Sequence, residues 1–215
     1  MLAIVADDHP AIAIGIGRLL ETIPGTSVLT ATTASDLIRL SYTEQCELII
    51  TDLNMPGSSD ADGFRLIEQL RRSVPEVPIV IITTLAVPPI LRTVMRSSIQ
   101  GLVHKLDAVE ELRLATRKVL EGGRYISTTI ARALVMHPDG TSPAVALSSK
   151  EADVLRLICM AYTVTDIGRM LNRSVKTISG HKRDLMAKLN LEDDLALYEF
   201  VRSYTSPLSE SGGLT

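Results

Sequence analysis

The chain has 215 residues, which is enough for one or two domains with a buried core. Its 46% hydrophobic and 22% charged residues are typical of a globular protein, and a net charge of −3 excludes a uniformly basic surface. The two cysteines, Cys46 and Cys159, fit no metal-ligand spacing and are expected to be buried, reduced side chains.

The amino-terminal residues do not resemble a secretory signal. Residues 1–6 are apolar, have no basic segment before them and run directly into Asp7 and Asp8. The longest apolar stretch, residues 77–91, is interrupted by three prolines, so it is not predicted to cross a membrane. We therefore expect a cytoplasmic protein that has no membrane partner.

Strand-like and helix-like patterns alternate through the first 122 residues. Short apolar runs of strand length cover residues 2–6, 28–31, 48–50, 79–83 and 101–105. Apolar residues at helical spacing follow each run, over residues 12–23, 35–40, 63–72, 90–97 and 109–121. This alternation predicts a doubly wound α/β domain over residues 1–122, with a five-stranded parallel sheet and helices on both faces.

Polar side chains follow four of these strands at the points where the strands end. Asp7 and Asp8 follow the first, Asp52 the third, Thr83 the fourth and Lys105 the fifth. Alone, an acid after a strand can cap a helix, bind a metal or act as a nucleophile. Because the carboxyl ends of parallel strands share one edge of a sheet, all five can lie in one crevice. The combination indicates a functional site there.

The charges of this set indicate its chemistry. Three carboxylates repel one another unless a cation lies between them, and Mg²⁺ prefers such hard oxygen ligands. An aspartate beside Mg²⁺ can attack a phosphoryl group and form an acyl phosphate. In such a site Lys105 would balance the added charge, and Thr83 would donate a hydrogen bond to a phosphoryl oxygen. Phosphorylation adds roughly −1.5 to −2 charge, so it can shift an element between two states.

The residues at these strand ends, with Met55-Pro56-Gly57, resemble the receiver domain of bacterial two-component response regulators, which has a flavodoxin-like fold. The resemblance covers residues 1–122. It implies that Asp52 accepts a phosphoryl group from a phosphohistidine on a histidine kinase or a phosphotransfer protein. It also implies that Mg²⁺ is bound by the carboxylates of Asp8 and Asp52 and by the backbone carbonyl of Asn54, with Asp7 helping through water.

Several positions depart from the usual receiver pattern. Leu106 replaces the proline that usually follows the lysine, and Thr84 replaces a very small residue. Leu102 occupies the place of the aromatic switch residue, so ring rotation cannot carry the signal. His104 is interpreted as a strand-packing residue. The added residues 58–62 and the missing proline are similar to the Rcs capsule-synthesis type of regulator.

A change in composition predicts a domain boundary after the receiver-like region. Residues 123–146 are interpreted as a linker that contains a short helix over residues 130–135 and a segment rich in Pro, Gly and Ser over residues 137–143. Residues 147–205 are predicted to form a small all-α domain, with helices over residues 148–160, 165–171, 174–189 and 194–204. Residues 206–215 are expected to be a flexible tail.

The third of these helices carries a local positive charge. Residues 173–188 contain five basic residues and one acid, Asp184, for a net charge of +4. A solvated charged face is the ordinary explanation of such a pattern. A short helix, a turn and a basic helix are also what a helix-turn-helix presents to the DNA major groove.

On the helix-turn-helix interpretation, Ser179 and Arg183 are candidate readers of base edges, and Gly180 permits close approach of the helix. The candidate phosphate contacts are Lys176, Thr177, Lys182 and Lys188, and Arg173 belongs to the same basic set.

The helical region resembles the LuxR/FixJ-type helix-turn-helix domain over residues 147–205. The resemblance is carried by residues 147–151, 174–178, His181 and Lys188. It implies that the last helix, residues 194–204, pairs with its twin on palindromic promoter DNA.

The two resemblances together predict a DNA-binding transcriptional response regulator of the NarL/FixJ family. Phosphoryl transfer to Asp52 would control dimerisation and promoter binding, without making the protein a conventional enzyme. The alternative is a phosphorylation-independent regulator that forms a heterodimer with an auxiliary regulator, and Leu102, Thr84 and Leu106 keep it open. A haloacid dehalogenase-type phosphatase is disfavoured, because Asn54 stands where that class needs a second acid.

Overall fold

The computed structural model describes residues 1–55, 62–136 and 147–205. The predictions made for residues 56–57, for residues 58–61 of the insertion, for residues 137–146 of the linker and for the tail fall outside these ranges. In the described part of the chain, no helix has the length and apolar character needed to cross a membrane.

The first part of the chain forms one parallel sheet. Its strands are β1 (Leu2–Ala6), β2 (Ser27–Ala31), β3 (Leu48–Asp52), β4 (Ile79–Thr83), β5 (Gly101–His104) and β6 (Tyr125–Ile126), in the order β2-β1-β3-β4-β5-β6. Every pair of neighbours is parallel. The predicted doubly wound α/β class is confirmed, and β6 adds a short sixth strand, which was not predicted because two residues leave no periodic pattern.

Helices cover both faces of this sheet. They are α1 (Pro10–Glu21), α2 (Ala34–Thr43), α3 (Phe64–Ser73), α4 (Pro88–Arg96), α5 (Ala108–Leu120) and α6 (Thr128–Met136), and a 3₁₀ turn (Lys105–Asp107) precedes α5. Alternate residues of β1 enter two different cores: Val5 packs with α1 and α5, whereas Ile4 packs with α2, α3 and α4. Because both faces are covered, the strands read as continuous apolar runs.

The second part of the chain is helical, as predicted. It contains α7 (Ser149–Cys159), α8 (Val164–Met170), α9 (Val175–Lys188) and α10 (Asp194–Thr205). Ser148 and Glu151 form the capping box that starts α7, and Ser174 caps α9. After α9 the backbone turns through Asn190 at a φ of +55°, which suits the end of a helix.

The two parts share one continuous hydrophobic core. Buried residues of α7, such as Leu155, belong to the same cluster as those of α3 and α4. From the segment assigned to the linker, α6 packs on β5 and α4 through the fully buried Ile130. At the start of α6, the backbone N–H and the hydroxyl of Thr129 donate hydrogen bonds to the Asp107 carboxylate.

Candidate functional site

The end of β3 presents a buried carboxylate to a lysine. Asp52 is the last residue of β3, and its side chain is only 6% exposed. The ammonium of Lys105, which follows β5, donates to Asp52 Oδ2 at 2.8 Å and to Asp7 Oδ2 at 2.6 Å. The structure thus brings together side chains from the ends of three strands, while their chemical roles stay predictions.

Burial governs the ionisation of this group. It raises the pKa of Asp52 above its ordinary value, and the hydrogen bond and charge of Lys105 offset only part of the effect. Burial alone would lower the pKa of Lys105, but its hydrogen bonds to Asp52 and Asp7 outweigh burial, so the pKa of Lys105 is raised. Lys105 is therefore held as a cation that balances the buried carboxylates.

Three side chains that could hold a metal ion follow β1. Asp7, Asp8 and His9 offer ligand atoms that all lie within 4.8 Å of one another. The Asp7 side chain is buried, whereas that of Asp8 is partly exposed and lies 2.8 Å from His9 Nδ1. Carboxylate oxygens suit Mg²⁺ and imidazole does not, so the two aspartates carry the fit to this ion. His9 was not among the predicted residues, and only its place beside two acids hinted at it.

Asn54 lies beside the buried carboxylate of Asp52. Its backbone N–H donates to Asp52 Oδ1 at 3.1 Å, and its own side chain is also buried. The side-chain oxygen Oδ1 of Asn54 accepts a hydrogen bond from Arg156, which belongs to α7 in the helical part of the chain. Sequence patterns did not single out Arg156, because an arginine within an amphipathic helix is usually solvated.

Thr83 ends β4 and is completely buried. Its Oγ1 accepts the backbone N–H of Leu85 at 3.0 Å, which leaves the hydroxyl proton free to be donated. The strand register places Thr83 directly opposite His104, the last residue of β5. Both side chains therefore stand at the same edge of the sheet as Asp52.

The prediction that His104 only packs in the sheet is incomplete. The ring is buried, but both of its nitrogens are hydrogen-bonded. Nδ1 accepts the backbone N–H of Leu106 at 3.2 Å, so Nε2 carries the proton and donates to the Thr84 carbonyl at 3.0 Å. His104 thus ties the segment after Thr83 to the segment that carries Lys105.

The candidate DNA-contacting residues lie on and just before α9. Arg173, Lys176, Thr177 and Arg183 are exposed, and Ser179 and Gly180 are partly exposed. A Cβ atom added to Gly180 would meet nothing within 4 Å, so this face is open at its middle.

The other two predicted phosphate contacts already have acidic partners. Lys182 pairs with Asp194 of α10 at 2.8 Å. Lys188 donates to both carboxylate oxygens of Glu151, at 2.6 and 2.8 Å. Sequence reasoning did not foresee either pair, because each joins two helices.

Comparison with known families follows the two parts of the chain. The family described as response regulator receiver domain matches residues 3–117, and the family described as bacterial regulatory proteins, luxR family, matches residues 145–201. The chain therefore belongs to the response-regulator family and combines a receiver domain with a LuxR-type DNA-binding domain.

The relatives include a protein that matches nearly the whole chain. The transcriptional regulatory protein RcsB of Escherichia coli (strain K12) is 36% identical over 206 residues, which cover 95% of each chain. RcsB from Salmonella enterica serovar Typhimurium, bound to promoter rprA with the phosphomimetic BeF₃⁻, superposes with a TM-score of 0.79 at 36% identity over 94% of this chain and 98% of that one. A structure of two RcsB dimers bound to two parallel DNAs also gives a TM-score of 0.79 at 36% identity, over 94% and 99%.

Proposed function

We propose that this response regulator accepts a phosphoryl group on Asp52 and that this event controls its dimerisation and its binding to promoter DNA. The observation that carries the proposal is the buried carboxylate of Asp52, which shares the Lys105 ammonium with Asp7. A site of this kind can bind an incoming dianionic group between a cation and a metal.

The phosphoryl donor is a phosphohistidine on a histidine kinase or on a phosphotransfer protein. An Asp52 carboxylate oxygen forms a bond to phosphorus while the bond from phosphorus to the histidine nitrogen breaks, and the departing nitrogen keeps the electron pair. Lys105 balances the charge that Asp52 gains, and the Thr83 hydroxyl donates to a phosphoryl oxygen. Later attack of water on phosphorus releases inorganic phosphate and restores the Asp52 carboxylate. Because the phosphoryl group is passed to the protein's own side chain and not to a second substrate, the protein is not a conventional enzyme.

The acidic side chains at this edge of the sheet are of the kind that receiver domains use to bind Mg²⁺. Asp8, Asp52 and the backbone carbonyl of Asn54 would hold the ion directly, and Asp7 would assist through water. When bound, Mg²⁺ supplies positive charge to the phosphoryl oxygens. The hydrogen bond from the Asn54 N–H to Asp52 supports this assignment, because it keeps both residues in one turn.

The DNA partner is double-stranded promoter DNA, which the related RcsB binds. Ser179 and Arg183 read base edges, and Gly180 permits close approach of α9. Arg173, Lys176 and Thr177 contact phosphates. Lys182 and Lys188 join them only if each exchanges its carboxylate partner for a phosphate. The protein accordingly acts in the cytoplasm.

The dimer forms through α10. Leu195 and Tyr198 of this helix are 65% and 64% exposed, which is unusual for large apolar side chains three residues apart on one helix face. The partner is a second copy of the chain or an auxiliary regulator that presents a similar helix.

The second candidate function is phosphorylation-independent regulation together with an auxiliary regulator. Leu102 is fully buried in β5 and cannot swing as an aromatic switch residue does, and Leu106 is 79% exposed where receivers have proline. These two features weaken the usual mechanism by which phosphorylation of a receiver domain changes the conformation of its surface.

A DNA-binding titration separates the two functions. The affinity for promoter DNA is measured with and without Mg²⁺ and beryllofluoride, which mimics an aspartyl phosphate, for the wild type and for Asp52→Asn. The phosphorylation-dependent function predicts tighter binding by the wild type only, and only when both additions are present. Equal affinities under all conditions would support the auxiliary-partner function instead.

A further inference from the structure

A buried arginine of the DNA-binding domain reaches the receiver domain beside Asp52. The Arg156 side chain on α7 is 0% exposed. Its Nη1 donates to Asn54 Oδ1 at 2.8 Å, its Nη2 to Asp62 Oδ2 at 2.7 Å, and its Nε to Asp153 Oδ1 at 3.2 Å. We call Arg156, Asp153, Asn54 and Asp62 the interdomain clasp.

The interdomain clasp is bonded directly to the segment that carries the phosphoacceptor. Asn54, whose side chain Arg156 binds, donates its own N–H to Asp52 Oδ1. Asp62, the second receiver partner, accepts the backbone N–H of Met55 at 2.8 Å through its other oxygen. Arg156 therefore contacts one residue of this segment and is joined through Asp62 to the next.

The backbone of the receiver domain is shaped for this contact. Gly63 has a φ of +58°, and a Cβ there would lie 2.3 Å from Asp153 Oδ1 and 2.5 Å from Arg156 Nη2. The next residue, Phe64, donates its N–H to the same Asp153 oxygen. Burial raises the pKa of Asp153 to about 6 even though Arg156 lies beside it, which reflects how fully water is excluded.

The interdomain clasp does not hide the DNA-binding face. The candidate contacts Lys176, Thr177 and Arg183 on α9 are exposed while α7 is packed against α3 and α4. The contact with the receiver therefore fixes where the DNA-binding domain sits without covering its recognition helix.

A buried guanidinium is tolerated only while its acceptors stay in place, because an unpaired buried charge is strongly destabilising. Docking of the DNA-binding domain thus favours one conformation of Asn54. Coupling between two sites is reciprocal. Docking of the DNA-binding domain must therefore change the free energy of cation binding beside Asp52, insofar as that binding depends on the conformation of Asn54.

We propose that Arg156, from the DNA-binding domain, is a positioning residue for the phosphorylation site. By binding the side chain of Asn54, it holds this residue in the conformation in which the backbone carbonyl of Asn54 binds the divalent cation. This inference rests on the proposed function, since it assigns Asn54 to the cation site. It makes cation binding in the receiver domain sensitive to whether the DNA-binding domain is docked.

The test is a titration of the full chain with Mn²⁺, in which electron paramagnetic resonance measures the free ion. The variant is Arg156→Met combined with Asp62→Asn, which removes one positive and one negative charge and so keeps the net charge of the interdomain clasp. An asparagine at position 62 can still accept the Met55 N–H. Arg169→Met combined with Asp166→Asn is the matched control, because this pair is exposed on α8.

The expected result is a loss of Mn²⁺ affinity of at least about fivefold in the Arg156 variant and none in the control, at the lower end of typical coupling between sites. Wild-type affinity in the Arg156 variant would overturn the inference and leave the proposed function intact. Absence of Mn²⁺ binding at Asp52 in the wild type, judged against Asp52→Asn, would overturn both.

Circular dichroism checks that the double variant is folded. Arg156→Lys is a second variant that keeps the charge but cannot reach Asn54 and Asp62 together as the forked guanidinium does. It is expected to bind Mn²⁺ more weakly than the wild type as well, and wild-type affinity in a folded Arg156→Lys protein would contradict the inference.

Discussion

At the scale of single residues, His104 compensates for a missing proline. Receivers usually hold the segment after the lysine with a proline, and here Leu106 follows Lys105. The His104 ring instead accepts the Leu106 N–H and donates to the Thr84 carbonyl. One side chain therefore fixes the two segments that carry Thr83 and Lys105.

Replacing His104 with leucine should destabilise the protein by about 1–3 kcal/mol, because the Leu106 N–H and the Thr84 carbonyl would both lose their partner. His104→Asn should cost less, since its side-chain oxygen can still accept the Leu106 N–H. Urea denaturation monitored by circular dichroism measures both free energies of unfolding. Equal stability of the leucine variant and the wild type would show that the ring only fills space.

At the scale of elements, helix α9 carries less free charge than its sequence suggests. The net charge of +4 over residues 173–188 counts Lys182 and Lys188 in full, yet each is paired with a carboxylate of another helix. The ion pair between Lys188 and Glu151 also fixes the start of α7, because Glu151 accepts the Ser148 N–H at 2.7 Å. Burial tends to raise the pKa of Glu151, but the hydrogen bond from Lys188 and those at Ser148 lower the pKa overall, so Glu151 is a carboxylate at neutral pH.

Replacing Glu151 with glutamine should free Lys188 for a DNA phosphate while the N-cap bond to Ser148 is kept. The plot of log affinity for promoter DNA against log salt concentration should then steepen by about one unit, as expected for one added phosphate contact. Glu192→Gln, at an exposed acid, is the matched control for net charge. Equal slopes in the two variants would show that Lys188 does not reach DNA.

The short strand β6 and helix α6 show where element prediction reached its limit. Strands β1, β3, β4 and β5 were predictable because almost all of their residues are buried, which leaves continuous apolar runs. A two-residue strand such as Tyr125–Ile126 has no periodicity, and only its pairing with Gly101 and Leu102 defines it. A helix was predicted where α6 lies, but its packing on β5 and α4 could not be, because those contacts join segments that are separate in the sequence.

At the scale of the whole molecule, the sequence specifies each domain more clearly than their contact. The edge where Asp7, Asp52, Thr83 and Lys105 meet was predictable because parallel strands all end at one side. The bond between Arg156 and Asn54 joins residues 102 positions apart in two domains. No local pattern encodes such a contact, since it depends on how two separately formed surfaces pack.

The most direct test of the central claim is to locate the phosphoryl group. The full chain is incubated with Mg²⁺ and a phosphorylated histidine phosphotransfer protein, and acyl phosphates are trapped by borohydride reduction. Mass spectrometry of the peptides should then find the reduced residue at position 52 of the wild type and at no position of Asp52→Asn. Modification of another residue, or none in the wild type while the donor stays reactive toward a second receiver domain, would contradict the account.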